Sequence, residues 1–106
     1  MRHARCIETS NSGNIVYFGG SNAYNYEEKG DGLLIAATFD SKMVVIAQTE
    51  FEDEKCISRI RRVGTTDHLT KDYLIIAFKS HIAIVEHRID NFVTLSTVKL
   101  NFSVFF

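Results

Sequence analysis

Leu33-Leu34-Ile35-Ala36-Ala37-Thr38-Phe39, then Asp40-Ser41-Lys42, then Met43-Val44-Val45-Ile46-Ala47-Gln48, is the stretch that decides the fold. Two apolar runs, rich in β-branched residues, flank a short polar turn, and that is the sequence form of a β-hairpin. The form returns as Tyr73-Leu74-Ile75-Ile76-Ala77-Phe78, Lys79-Ser80-His81, Ile82-Ala83-Ile84-Val85-Glu86-His87. The region is therefore read as an all-β protein of antiparallel hairpin repeats.

Working outward, Cys56 to Val63 alternates apolar and polar residues, as a half-buried strand does, with Arg59 and Arg61 on its wet face. Phe92 to Leu100 reads the same way. Asn14 to Phe18 is a strand candidate, Gly19-Gly20-Ser21-Asn22 a turn, and Ala23-Tyr24-Asn25-Tyr26 the second arm of a weaker hairpin. Residues 1 to 13 read as a polar, flexible start with a short strand near Cys6-Ile7, and residues 14 to 106 as the β region. No segment keeps a helical period over ten residues. The expected core is Leu34, Ile35, Val44, Ile46, Leu74, Ile76, Ile82 and Ile84.

The hairpins also repeat residue by residue. Leu34, Ile35 and Ala37 match Leu74, Ile75 and Ala77 at an offset of 40. Met43, Val45 and Ile46 match Ile82, Ile84 and Val85 at 39, and Ile57 to Arg61 matches Leu95 to Lys99 at 38. Hairpins recurring at roughly 40 residues have the period of a propeller blade. Over about residues 32 to 100 the chain resembles the WD40-like β-propeller family in pattern. Ile46-Ala47 and Val85-Glu86 stand where that family carries Trp-Asp, and no Gly-His pair precedes a blade. The resemblance implies partial propeller-like blades, and a non-enzymatic scaffold that meets protein partners through loops and edges. A small antiparallel sandwich or barrel is the alternative architecture. Two repeats cannot close a ring, so the chain is expected to be a fragment of a longer propeller, or a subunit that completes one with another copy or a partner. The apolar ending Val104-Phe105-Phe106 fits that expectation.

With 106 residues the chain is at most one domain, and 45% apolar content makes it globular. Its 12 basic and 13 acidic residues leave a net charge of -1, which exerts no long-range pull on nucleic acid or anionic membranes. The start lacks a signal peptide's apolar core, and no run approaches the roughly 18 apolar residues of a membrane span, so cytoplasmic or nuclear residence is expected. Cys6 and Cys56 lie outside any Cys-x-x-Cys pair and read as thiols, with a disulfide as the other possibility.

No catalytic, cofactor or metal site stands out. His81 and His87 share a strand face but sit roughly 20 Å apart, too far for one ion, and read as solvent-facing. Asp67-His68 near Asp72 lacks a nucleophile motif, the Gly19-Gly20 turn lacks the helix of a phosphate loop, and Glu50, Glu52, Asp53 and Glu54 lack EF-hand spacing. The candidate partner-binding residues are Tyr24, Tyr26, Arg59, Arg61, Arg62, Phe105 and Phe106. An alternative function is RNA binding by a basic strand face built on Arg59, Arg61 and Arg62.

Overall fold

The computed structural model describes residues 3–10, 13–22, 31–52, 56–63 and 72–101. They form eight strands and, among the described residues, no helix. The strands are β1 (His3–Thr9), β2 (Ile15–Ser21), β3 (Gly32–Phe39), β4 (Met43–Phe51), β5 (Arg59–Arg62), β6 (Asp72–Ala77), β7 (His81–His87) and β8 (Phe92–Lys99). Each set of four consecutive strands makes one antiparallel sheet in chain order, β1-β2-β3-β4 and β5-β6-β7-β8. The all-β reading and both strong hairpins, β3–β4 and β6–β7, are as the sequence indicates.

The two sheets pack face to face. Cross-strand partners share a face, so sheet 1 presents Cys6, Gly19 and Leu34 in one inward row and Tyr17, Ala36 and Ala47 in the next. Sheet 2 answers with Ile60, Ile76 and Ala83, then Leu74 and Val85. Except for Gly19, which has no side chain, and Cys6, which packs against it half-buried, these side chains form one buried cluster with Ile57 and Phe78. β1 lies on β5 and β4 on β8. β1 and β5 run in the same direction, since Cys6 neighbours Ile57 while Glu8 and Thr9 reach Arg62. Two meanders with the same strand order and direction can only stack front to back, so the inward face of sheet 1 is not equivalent to the inward face of sheet 2.

Several expectations are corrected here. Leu34, Leu74 and Ile76 are buried as expected. Ile46 is half-buried against the core, at an extra residue where β4 bulges opposite Ala36 and Ala37. Ile35 and Ile82 are half-buried on outer faces. Val44 and Ile84 are exposed at 44% and 36%. Ile84 alternates with Ala83 and Val85, which take the inward positions. Runs that are apolar on both faces carry no alternation, so the sequence alone cannot say which half points inward.

Gly19, Gly20 and Ser21 are no turn but the end of β2, paired with β1 and β3. The glycine serves close approach instead. A Cβ on Gly19 would stand 2.7 Å from Ile57 Cγ2 and 2.8 Å from both Cys6 Sγ and Ile60 Cδ1. Gly19→Val is expected to cost about 1–3 kcal/mol by forcing the sheets apart. Chemical denaturation measures it, and a variant as stable as the parent would refute the close packing. The turn before β2 uses Gly13 at φ +82°, a conformation that L side chains rarely adopt.

Three boundaries also differ. β1 is a seven-residue strand inside the stretch read as a flexible start. β4 continues through Glu50 to Phe51, so Glu50 belongs to a strand and accepts a hydrogen bond from Asn22 Nδ2 at 3.2 Å. The 40-residue similarity maps β3, β4 and β5 onto β6, β7 and β8, three strands that cross from one sheet to the next. Between sheets, equivalent fourth strands begin at Met43 and Phe92, a spacing of 49.

Candidate functional site

Two places hold polar chemistry, and a third holds exposed apolar surface. The first lies between the sheets. Tyr17, wholly buried on β2, donates its hydroxyl to Asp72 Oδ2 at 2.6 Å, and its oxygen lies 2.8 Å from His87 Nδ1. Asp72 and His87 are themselves cross-strand partners on β6 and β7. The phenol has one proton, and Asp72 receives it, so His87 Nδ1 carries a hydrogen and donates to the Tyr17 oxygen. That leaves Nε2 as an acceptor, and it is buried without a partner among the described residues. The rings of Tyr17, His87 and Phe92 pack at centroid distances of 5.1–6.2 Å.

Burial pushes the Tyr17 phenol well above its ordinary range, and the hydrogen bond to Asp72 and its charge add to that; Arg62 opposes weakly. Tyr17 therefore keeps its proton at neutral pH. Burial also lowers the pKa of His87, with the charge of Asp72 opposing. His87 is thus buried rather than solvent-facing, a correction to the sequence reading, because β7 carries positions 83, 85 and 87 all inward. Its depressed folded value means that the unfolded chain binds the proton more readily. The stabilisation is whole above the unfolded value of about 6.5 and is lost as pH falls toward the lower folded value. Melting temperature is expected to drop between pH 7.5 and 5, and to drop less in His87→Phe. Equal slopes for the two proteins would refute the buried neutral imidazole.

The second place is a cleft of about 530 Å³ between β1 and β5, lined by Arg5, Cys6, Ile7, Glu8, Ser58, Arg59, Ile60 and Arg61. Arg59 and Arg61 stand exposed on the outer side of β5. Arg62 points the other way and is half-buried; its backbone N–H donates to Glu8 Oε2 at 3.3 Å and its Nε to the Thr9 carbonyl at 3.0 Å. Strand alternation thus divides the three arginines between two faces. Tyr24, Tyr26, Phe105 and Phe106 lie outside the described residues, as do Asp67 and His68. Cys6 and Cys56 are free thiols whose sulfurs both approach the Ile57 carbonyl, at 4.0 and 3.5 Å. Burial pushes Cys6 up to about 11, with Cys56 adding to the shift, so its reactive thiolate is scarce at neutral pH.

The third place is the outer face of sheet 2. Its rows run Arg61, Ile75, Ile84, Ser96 and Arg59, Ala77, Ile82, Val98. Ile75, Ile84 and Val98 are 37%, 36% and 53% exposed. Beyond the apolar rows, Glu86 is buried and accepts a hydrogen bond from Arg88 Nε at 2.9 Å. Sequence reasoning missed both Tyr17 and this face. Tyr17 gave no signal, because a lone tyrosine in an apolar run reads as core. The face was legible in the unbroken apolar run of Leu74 to Ala77.

No protein-family model and no curated protein sequence matches this chain. Among the described residues, no group of three or more His, Cys, Asp or Glu side chains could hold a metal ion, and no helix is long and apolar enough to cross a membrane.

Proposed function

We propose that this chain is a non-enzymatic protein-interaction scaffold built from propeller-like blades. The observation that carries the reading is the outer face of sheet 2. A four-stranded sheet that buries apolar residues on one side presents isoleucine and valine on the other as well. Contiguous exposed apolar surface of this kind marks a contact site. The front-to-back stacking of two meanders supports blade-like packing, in which a sheet meets a neighbour on each face. Tyr17, Asp72 and His87 serve this reading as a buried polar tie between the sheets, since the phenol is sealed from solvent and holds its proton.

A second reading, RNA binding, is favoured by Arg59 and Arg61 beside Arg5 at the rim of the cleft. Arg62 does not add to it, being turned to Glu8 and Thr9. Titration with a labelled single-stranded oligonucleotide at two salt concentrations separates the two readings. The scaffold reading expects negligible binding at both. Tight binding that weakens steeply with salt would overturn it.

A further inference from the structure

We infer that a second copy of this chain covers the outer face of sheet 2, by laying the outer face of its own sheet 1 upon it. This inference rests on the scaffold reading and names its partner. The warrant is the interface already present inside the molecule. Sheet 1 offers its front to the back of sheet 2, with β1 over β5 and β4 over β8 in one direction. Such packing joins two unlike surfaces and does not terminate itself. Among the described residues, no strand packs on the back of sheet 1 or on the front of sheet 2.

Both faces carry apolar rows with polar ends, Arg59, Arg61 and Ser96 on sheet 2 and Thr9 and Gln48 on sheet 1. The back of sheet 1 aligns Ile7, Phe18 and Ile35 in one cross-strand row and Val16, Ala37 and Val45 in the next. Ile7 is 61% exposed and Val45 45%. The front of sheet 2 offers Ile75, Ile84 and Val98. A copy stacked in this order repeats the front-to-back order of the internal interface, with apolar side chains between aligned sheets. The contact is heterologous, so repetition closes a ring or runs on as an open stack, according to the rotation between units. A two-fold dimer would instead set like against like, front on front or back on back.

Native mass spectrometry and sedimentation of the full chain distinguish these arrangements. Ile84→Lys blocks the front and Val45→Lys blocks the back, each at an exposed position where folding is checked by circular dichroism. Val98→Lys replaces Ile84→Lys if that variant does not fold. The wild type is expected to self-associate. Each variant alone is expected to lose at least about tenfold in association, the effect of roughly 1.4 kcal/mol. An equimolar mixture is expected to form a one-to-one pair, because each supplies the face the other lacks. Self-association retained by either single variant would overturn the head-to-tail arrangement. A folded wild-type monomer that binds no oligonucleotide would overturn the second-copy inference and leave the scaffold reading intact. Salt-sensitive oligonucleotide binding would overturn both.

Discussion

Leu74→Ala is expected to lower the free energy of unfolding by about 2–5 kcal/mol, the range for removing a buried leucine and leaving a cavity. Leu74 sits wholly buried on β6, opposite Val85 and facing sheet 1. Its neighbours cannot collapse into the gap, because backbone pairing holds β6 between β5 and β7. Ile84→Ala, on the other face of the same sheet, is expected to cost less than about 1 kcal/mol in the monomer, since a third of the side chain is already in water. Denaturant titration of both variants reads the difference directly. Equal losses would mean that the inward and outward faces of sheet 2 are wrongly assigned.

Tyr17→Phe is expected to cost about 1.5–3 kcal/mol, the range for a hydrogen bond to a charged group. The phenol is the only link from β2 to both Asp72 and His87 that the described geometry shows. Removing its oxygen leaves His87 Nδ1 without its acceptor, in a ring whose Nε2 already has none among the described residues. Asp72 is half-buried, so water takes up part of the lost bond, which keeps the figure below that for a fully sealed carboxylate. A double-mutant cycle with His87→Phe isolates the pair. Coupling above about 0.5 kcal/mol is expected for groups in one network, and strict additivity would contradict a shared bond.

Comparison of these residues shows what the sequence carries. The hairpin at Leu33 to Gln48 was legible because a polar triplet between β-branched runs has one economical backbone solution. The strand β5 was legible because Arg59 and Arg61 alternate with Ile60. The inward side of β6 and β7 was not, because Leu74 to Ala77 is apolar throughout and gives no period to read. Gly19 was read as a turn because glycine is permissive in turns; its actual reason is Ile57 and Ile60, some 40 residues away. The same distance hid the Tyr17 tie, whose partners lie 55 and 70 residues along the chain. Arg62 illustrates the limit for the candidate site: composition grouped it with Arg59 and Arg61, and strand alternation set it on the opposite face.

The protonation state of Cys6 follows from the same packing. Cys6 lies against Gly19 at the sheet interface, and burial holds it as a thiol, so slow alkylation is part of the account.

Sedimentation velocity of the wild-type chain over a concentration series, at low and at high salt, tests the central claim that the outer sheet faces are contact surfaces between copies of this chain. The account predicts a weight-average mass that rises with concentration above the 12.0 kDa of one chain, and that high salt does not reduce, because apolar burial is not screened. A folded species that stays at 12.0 kDa throughout, or an association that salt dissolves, would contradict it.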